Sequence, residues 1–488
     1  MANTRNLVLL HSNDLHGSFH SQDIDEQTKG GISMLSGYVD QVRNSKPNVL
    51  YCIAGDMLQG SLIDTEFKGL STMDIMNLLY PDVVSLGNHE TDYGITHLLF
   101  LEKCARFPIV SANFFIKQPY TRLFKPYTII KRGDMKIMFI GIITKEVMDG
   151  IKNDSLYSPL IDVEDAAREV GNICNAYRTT DIDLTVLLTH IGFEEDKELA
   201  HLLDPRWGVD IIIGGHSHTV LEQPVIHNGI LITQAGVGTN QIGRFDLEVN
   251  LDTNSVENWK WELVPIDSEH CPRSLAIDDL LSHYTNITDE KYNRVLCRLP
   301  RELTHPCRYQ ETELGSLMAD VHRACFKVDI SLVGSGSVRK DSSGPILTLG
   351  DITEIMPYHG DVYQYKITGA ALKKILRHIL REEAFVKKET EFFQLSKGMR
   401  VVWNRKYQDF EVLEFEEQPV EDERIYSLTL QEYHKNNCDT SIGIPFEELV
   451  ATAPEVCVST DEQDTIVEYL SSHPVLRVPA KDRLVVSE

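Results

Sequence analysis

Histidine and aspartate side chains recur at the ends of short apolar runs in the first half of this sequence. The run "VDIIIGGHSHT" at 209–219 ends in two glycines followed by His216 and His218. An isolated pair of this kind would be interpreted as an exposed turn. Four other apolar runs also end in oxygen or imidazole donors, which are Asp14, His16, Asp56, Asn88, His89 and His190. This repetition indicates one shared site.

Binding of divalent transition metals is the chemistry that these donors have in common. Mixed Asp, Asn and His ligands suit Mn, Zn, Co or Fe, rather than calcium cages or thiolate zinc sites. The candidates are too many for one tetrahedral ion, so we expect two divalent ions that share one carboxylate. Such pairs activate water and bind the oxygens of a phosphoryl group during in-line displacement.

The runs that carry these residues have the pattern of buried strands. "NLVLLHS", "NVLYCIAG" and "DLTVLLTH" are apolar without alternation, and helix-compatible segments separate such runs up to residue 265. Unbroken hydrophobicity is typical of strands covered on both faces, as in α/β layers. In open α/β sheets, ligands bind at the carboxyl edge of the strands, where the candidate residues fall. Gly214 and Gly215 would let backbone approach the site closely.

A second domain is expected after a polar connector. Residues 266–300 lose the strand pattern and have helical spacing, so we interpret them as a connector between domains at 1–265 and 301–488. The later domain mixes helix patterns such as "GAALKKILRHILREEA" with strand patterns such as "MRVVWN". The sequence therefore predicts an α/β protein with an α+β C-terminal domain.

Composition limits the function classes. The chain has 488 residues and a net charge of −26, which disfavours a nucleic-acid polymer as partner because phosphate backbones are bound by Lys and Arg patches. The longest apolar run is far shorter than a membrane span, and the first residues lack a secretory hydrophobic region. The nine cysteines form no CxxC pair. We therefore expect a cytoplasmic protein with reduced thiols and no membrane partner.

Five motifs in the N-terminal half resemble the blocks of the calcineurin-like metallophosphoesterases. They are "NDLHG", "AGDMLQGS", "LGNHETDYG", "LLTHIG" and "GGHSH", in this order. With the second half, the chain resembles the 5'-nucleotidase family in particular. The resemblance implies a four-layer α/β/β/α sandwich in the N-terminal domain. It also implies the metal ligands Asp14, His16 and His218 for one ion, Asn88, His190 and His216 for the other, and Asp56 as the bridge.

By the same resemblance, His89 and Asp92 form the catalytic pair. The histidine would contact the phosphate or protonate the leaving oxygen, and the aspartate would orient its ring. A neighbouring carboxylate fixes the tautomer of an imidazole and favours its charged form. The alternative for His89 alone is a histidine that supports the ligands without taking part in the reaction.

The second half resembles the family's substrate-binding domain more weakly. The motifs "CRYQETELGSLMAD", "GSGSVR", "MPYHGD" and "LQEYHKNNCD" carry the implied substrate residues Arg308, Arg339, Tyr358, Tyr433 and Asp439. Arg308 corresponds to an anion-binding arginine, and Arg339 ends the family's glycine-rich stretch. The tyrosines would sandwich a nucleobase and the aspartate would hold the ribose hydroxyls, as aromatic faces and a carboxylate can do.

Three departures concern the base. Gly334 and Gly360 stand where relatives often carry a base-reading asparagine, and His359 replaces a small residue. Base preference is therefore open, whereas the metal site is unaffected.

The favoured function is a two-metal phosphohydrolase acting on nucleoside 5'-monophosphates. One alternative is a phosphodiesterase or pyrophosphatase for cyclic nucleotides, nucleotide sugars or dinucleotides. Another is a non-catalytic metal- or nucleotide-binding protein, which loss of a ligand or of the His89–Asp92 pair would favour. Neither has been lost from this sequence.

Overall fold

The structure, a computed structural model, describes residues 3–24, 27–116, 121–144, 157–159, 162–386 and 391–487. The chain divides into two compact units, residues 1–288 and 289–488. The helix Leu275–Tyr292, which lies inside the predicted connector, crosses this division. None of the helices among the described residues combines the length and apolar character that spanning a bilayer requires.

Two six-stranded sheets form the centre of the N-terminal unit. The first has the order Ser255–Pro265, Gln241–Asn250, Thr4–Ser12, Val49–Ala54, Val83–Ser85 and Ile109–Val110. The second has the order Val225–His227, Ile230–Thr233, Ile211–Ile213, Leu184–His190, Met135–Ile143 and Tyr127–Arg132. Four neighbouring strands in each sheet are parallel, and the flanking strands are antiparallel. The carboxyl ends of the parallel strands therefore lie at one edge of each sheet.

Side chains of both sheets alternate between two cores. Along the first strand, Leu7 and Leu9 belong to a core that also contains Val186 and other residues of the second sheet. The alternate residues Val8 and Leu10 face a different core, which is formed with the helices beside the first sheet. The second sheet has a corresponding outer core with its own helices. This arrangement is a four-layer α/β/β/α sandwich, and it confirms the predicted fold.

The helices of the N-terminal unit cover the outer faces of the two sheets. Their bounds are Ile32–Ser45, Leu62–Phe67, Leu70–Leu79, Ile95–Cys104, Val163–Ala176 and Phe193–Leu202, with short 3-10 turns at His89–Thr91 and Pro205–Trp207. Small additional sheets pair Gln22–Ile24 with Gln27–Lys29, and join Tyr157–Pro159, Phe114–Ile116 and Thr121–Arg122.

The C-terminal unit is an α+β domain with two larger sheets. The five-stranded sheet has the order Phe393–Leu395, Ile330–Gly334, Ile425–Gln431, Val362–Thr368 and Val456–Ser459. The four-stranded sheet has the order Gln418–Pro419, Asp409–Phe415, Met399–Asn404 and Leu484–Ser487. Two short ladders pair Val295–Arg298 with Ile346–Thr348, and Leu303–Thr304 with Ser342–Ser343.

Helices pack on these sheets over two large apolar cores. Their bounds are Glu313–Phe326, Leu349–Ile355, Gly369–Ile379, Glu382–Val386, Glu432–Asn436, Cys438–Ser441, Phe446–Leu449 and Glu462–Ser472, with a 3-10 turn at Ser335–Ser337. The fully buried aromatic side chains of Tyr365, Trp403 and Tyr426 anchor one of the cores. The mixed helix and strand patterns of the sequence are confirmed here.

Candidate metal centre

The predicted ligands follow the carboxyl ends of five parallel strands. Three of these strands, Thr4–Ser12, Val49–Ala54 and Val83–Ser85, belong to the first sheet, and Leu184–His190 and Ile211–Ile213 belong to the second. His190, the last residue of its strand, and side chains of the loops after the other four strands meet around two buried carboxylates. The residues in this cluster are Asp14, His16, Asp56, Asn88, His190, His216 and His218.

Asp14 and Asp56 lie at the centre of the cluster. The Oδ1 atom of Asp14 is 3.4 Å from His218 Nε2, 3.8 Å from His16 Nε2 and 3.7 Å from His190 Nε2. The Oδ2 atom of Asp56 is 3.0 Å from His190 Nε2 and 3.6 Å from His16 Nε2. Both carboxylates are almost completely buried. Asp56 thus faces histidines that the sequence assigns to different ions.

Asn88, from a loop of the first sheet, and His216, from a loop of the second, complete the cluster. The Nδ1 atom of His216 is 3.0 Å from Asn88 Oδ1, and its backbone N–H donates to both carboxylate oxygens of Asp14. The rings of His190 and His216 are 5.3 Å apart between centroids. The structure therefore brings all seven predicted ligands into one connected group.

Backbone strain is concentrated at these residues. Five of the seven predicted ligands have a left-handed backbone, with φ between 45° and 79°, and they are Asp14, His16, Asp56, His216 and His218. This conformation costs roughly 1–3 kcal/mol at a non-glycine residue and clusters at functional sites. The rest of the fold must hold these loops in place, which is consistent with a function for their side chains.

Gly214 and Gly215 are required by close packing behind the cluster. A Cβ atom on Gly214 would lie 2.0 Å from a carboxylate oxygen of Asp196, and one on Gly215 would lie 2.7 Å from Nδ1 of His190. Asp196 is fully buried and hydrogen-bonded to Thr189 and Gln234, and His190 belongs to the cluster, so a side chain at either glycine would displace a buried, hydrogen-bonded group. The sequence prediction that these glycines permit a close approach agrees with this geometry.

The donor set of the cluster fits divalent cations. The Nδ1–H groups of His16 and His190 donate to the backbone carbonyls of Gln59 and Ala54. In neutral rings this leaves the Nε2 lone pairs directed at the carboxylates of Asp14 and Asp56. An Nε2 lone pair and a carboxylate oxygen repel each other unless a cation lies between them. These residues are therefore arranged to bind positive charge.

His89 and Asp92 lie beside the cluster. The Nδ1 atom of His89 is 2.7 Å from Asp92 Oδ2, and the His89 backbone N–H donates to Asp56 Oδ1 at 3.0 Å. Burial acts to lower the pKa of His89, but the hydrogen bond to Asp92 and the nearby charge of Asp56 act more strongly and raise the pKa to about 9. In the metal-free site the imidazole is therefore cationic at neutral pH and can donate a hydrogen bond.

Glu90 is a buried residue of the site that the sequence analysis missed. Its carboxylate accepts the backbone N–H groups of Asp56, Met57, Leu58 and Gly87 at 3.0, 2.7, 3.3 and 2.6 Å. It thereby joins two ligand loops to each other. Its position inside "LGNHETDYG" was the available signal, but a glutamate in a loop is normally solvent-exposed.

Protonation of the metal-free cluster gives a testable pH dependence. Burial acts to lower the pKa of His190, yet the charges of Asp56 and Asp14 outweigh it and raise the pKa to about 10. Because the folded pKa exceeds the unfolded value of about 6.5, the stabilisation is complete below about pH 6.5 and is lost as pH rises through about 10. The lowered pKa of Asp56 acts only in acid.

We therefore expect the melting temperature of EDTA-treated protein to fall between about pH 6.5 and pH 9 more steeply than that of Mn-loaded protein. Bound cations replace the proton on His190, so the loaded protein lacks this contribution. Differential scanning fluorimetry at several pH values measures both slopes. If the two slopes were equal, bound cations would not replace the proton on His190.

In the C-terminal five-stranded sheet, two segments of the predicted nucleoside site lie at the same end of two neighbouring inner strands. Tyr358 precedes the strand Val362–Thr368, and Tyr433 follows the antiparallel strand Ile425–Gln431, in which Gln431 pairs with Val362. The side chains of the two tyrosines are 43% and 60% exposed. Both rings are therefore accessible to a ligand.

Arg308 and Tyr433 line one cavity of about 390 Å³ in the C-terminal unit. Arg339, Tyr358 and Asp439 are not among the residues that line it. The cavity also has walls that the sequence analysis did not identify, and these include Tyr309, Arg381, Glu391, Phe392 and Asn437. Their motifs carry no metal or nucleophile signal, and they meet only through the fold.

The departures noted in the sequence have structural counterparts. A Cβ atom on Gly334 would lie 2.2 Å from Nε2 of the buried His434, so no side chain fits at that position. The ring nitrogen Nδ1 of His359 is 2.8 Å from Asp461 Oδ2. A base-reading residue cannot therefore come from Gly334 in this chain.

Comparison with known proteins is consistent with this geometry. The model of the calcineurin-like phosphoesterase family matches residues 7–220, and that of the 5'-nucleotidase C-terminal domain matches residues 288–444. The 5'-nucleotidase of Mus musculus is 26% identical, over 99% of this chain and 90% of its own length. Endonuclease YhcR of Bacillus subtilis is 27% identical, over 76% of this chain and 32% of its own length.

A solved structure has the same fold. The 5'-nucleotidase precursor from Thermus thermophilus has a TM-score of 0.77 and 22% identity, with 99% of this chain and 100% of that chain covered. Together, the two matched domains and the cluster of candidate metal ligands make this protein a metal-dependent phosphoric monoester hydrolase that uses divalent ions. The chain belongs to the 5'-nucleotidase family, with a calcineurin-like phosphoesterase domain followed by a 5'-nucleotidase C-terminal domain.

Proposed function

We propose that this protein releases phosphate from nucleoside 5'-monophosphates with the help of two divalent ions. The observation that carries the proposal is the convergence of seven donors around Asp14 and Asp56, in a chain whose second unit has exposed tyrosines and a cavity. Two ions at such a centre activate water and bind the phosphoryl oxygens. Mn, Zn, Co and Fe suit the mixed nitrogen and oxygen donors.

The ligands divide into two sets around one carboxylate. We assign Asp14, His16 and His218 to one ion, because their donor atoms all lie within 4.8 Å of one another. We assign Asn88, His190 and His216 to the second ion. Asp56 bridges the two sets, since its Oδ2 atom faces His16 at 3.6 Å and His190 at 3.0 Å.

His89 is the proposed donor to the departing oxygen. Asp92 holds its Nδ1–H, so the ring presents Nε2–H on its other side,. A cationic donor stabilises negative charge that develops on the phosphoryl group and on the leaving oxygen, and it can transfer a proton to that oxygen. Asp92 acts as a positioning residue that keeps the ring oriented and charged.

The C-terminal unit is proposed to bind the nucleoside. Tyr358 and Tyr433 would stack on the base, and Asp439 would accept hydrogen bonds from the ribose hydroxyls. Arg308 and Arg339 would bind anionic oxygens of the substrate. The exposure of both tyrosines and the cavity beside Tyr433 support these roles.

A substrate screen tests the function. Phosphate release is measured from mononucleotides and an aryl phosphate, each with Mn, Zn, Co or Fe. Hydrolysis of a nucleotide sugar, a dinucleotide and a cyclic nucleotide with the same metals is followed by chromatography of the products. We expect mononucleotides to have the highest kcat/KM. Hydrolysis of the aryl phosphate without preference for any nucleotide would contradict the proposal.

A diesterase is the second candidate, because the relative from Bacillus subtilis is named an endonuclease. The same ligands serve a diester, and only the leaving group differs. In that case the cyclic nucleotide or dinucleotide would be hydrolysed faster than any monophosphate in the same screen.

Removing either tyrosine should separate nucleotide from aryl-phosphate hydrolysis. Stacking contributes roughly 1–3 kcal/mol per base, so Tyr358→Ala and Tyr433→Ala should each raise KM for a nucleotide by about one to two decades. The aryl phosphate has no base and should be hydrolysed at the wild-type rate. The matched control is Tyr407→Ala, which removes a tyrosine that is 73% exposed elsewhere in this unit. Parallel changes for both substrates would make the tyrosines packing residues.

A further inference from the structure

The cavity of the C-terminal unit contains a carboxylate that the proposed nucleoside-binding residues do not explain. Glu391 lines this cavity together with Arg308, Phe392 and Tyr433. The cavity volume of about 390 Å³ lies within the usual range of small-molecule sites. An acidic side chain here is unexpected if the only ligand groups were phosphate oxygens, because like charges repel.

The Glu391 carboxylate is held in place by the glycine-rich turn. One of its oxygens accepts the backbone N–H of Gly336 at 3.2 Å. A Cβ atom on Gly336 would lie 3.4 and 3.6 Å from the two carboxylate oxygens and 3.8 Å from Nη1 of Arg308. The bare backbone of this glycine therefore leaves the carboxylate and the guanidinium beside the same open space.

Opposing effects act on the pKa of this carboxylate. Burial raises the pKa of Glu391, while the Gly336 N–H and the Arg308 guanidinium act in the opposite direction. A carboxylate that accepts one N–H retains acceptor capacity on both oxygens, because each oxygen has two lone pairs. Glu391 is thus an acceptor on the wall of a cavity that has an exposed aromatic ring.

Nucleobases differ in what they present to such an acceptor. Guanine has two adjacent N–H donors, N1–H and the 2-amino group, which match the two oxygens of a carboxylate. Adenine, cytosine and uracil each place a lone pair beside any donor on the corresponding edge, and that lone pair would face the carboxylate. Guanine also carries the O6 and N7 acceptors, which arginine binds well. The cavity wall contains the Glu391 carboxylate and a second arginine, Arg381, which is not assigned to the anionic oxygens of the substrate, and this pair is complementary to guanine.

We propose that Glu391 is a specificity-determining residue that makes the nucleoside cavity selective for guanine. The proposal rests on the proposed function, since it requires a nucleotide substrate. It commits the enzyme to guanosine 5'-monophosphate over the adenosine, cytidine and uridine monophosphates. The inosine monophosphate, whose base has one N–H at this edge, falls between them.

The test compares nucleotides on the metal-loaded full chain. Hydrogen bonds to a charged group are strong, so we expect kcat/KM for the guanine nucleotide to exceed that for the adenine nucleotide by about 10- to 100-fold. Glu391→Gln replaces one acceptor oxygen by an NH₂ donor. It should lower kcat/KM for the guanine nucleotide by about the same factor and leave the adenine nucleotide near its wild-type value.

Two controls separate specificity from folding. Glu423→Gln removes the same charge from an exposed position and should leave the ratio of guanine to adenine hydrolysis unchanged. Hydrolysis of the aryl phosphate reports the metal centre and should be the same in all variants. If Glu391 only supports the Gly336 turn, the Glu391→Gln change would affect all nucleotides equally, which overturns the proposal.

The outcomes also distinguish this proposal from the proposed function. An enzyme that prefers mononucleotides but has no guanine preference, or that keeps its guanine preference in Glu391→Gln, overturns only the role of Glu391. An enzyme that shows no preference for mononucleotides over the aryl phosphate, or that hydrolyses diesters fastest, overturns the proposed function and with it this inference.

Discussion

Asp56→Asn is expected to lower the bound metal from two ions per chain to one or none and to remove nearly all phosphohydrolase activity. Asp56 is 1% exposed, and its carboxylate faces histidines that we assign to different ions. Asparagine preserves the shape and the acceptor for the His89 N–H. It removes the charge that both ions share, so both are weakened at once.

The measurements for this variant are elemental analysis of the dialysed protein and phosphate release at saturating metal. Asp64→Asn is the matched control, because Asp64 is equally buried but bonds to Thr72, Tyr93 and the Gln59 backbone rather than to the cluster. It should retain two ions. If Asp56→Asn retained two ions and full activity, Asp56 would not be the bridge.

His89→Ala should lower kcat by about two to four orders of magnitude while both ions stay bound. The loss corresponds to a cationic donor that acts where negative charge develops. Asp92→Asn should do less harm, because it weakens the orientation and charge of the ring without removing it. The substrate KM should change less than kcat in both variants.

The competing role for His89 is that of a metal ligand. Its ring nitrogen lies within 4.8 Å of donor atoms of His16 and Asp56, so these three could hold an ion. Metal content decides between the two roles. If the His89→Ala protein has lost an ion, His89 is a metal ligand. His97→Ala, a histidine on the next helix whose Nε2–H donates to the Lys68 carbonyl, is the matched control and should match the wild type in metal content and kcat.

Some parts of the fold could not be predicted from the sequence, for a physical reason. The strand Ser255–Pro265 was not predicted because its residues are mostly half-exposed or exposed and include Lys and Glu. Edge strands of this type have no continuous apolar run, although this strand forms a hairpin with Gln241–Asn250 directly before it. Glu90 was missed because a buried carboxylate cannot be recognised without the four backbone N–H groups that donate to it.

The lining of the cavity in the C-terminal unit also could not be predicted from local sequence patterns. Arg308, Gly336, Glu391 and Tyr433 are spread over more than a hundred residues of sequence. No local pattern relates a glutamate before one strand to a tyrosine after another. Their meeting depends on the order of strands in the five-stranded sheet, where Ile330–Gly334 lies between Phe393–Leu395 and Ile425–Gln431.

The sequence by itself predicted the candidate metal ligands and the α/β class of the first domain, and the family resemblance supplied the four-layer sandwich. Each ligand lies at or just after the end of a buried strand, so local hydrophobic pattern and residue type were sufficient, and parallel strands necessarily align their carboxyl ends. The tertiary structure decided the distances around Asp56, the left-handed backbone of five ligand residues, and the walls of the C-terminal cavity. These depend on contacts between residues far apart in the chain, which short-range periodicity does not encode.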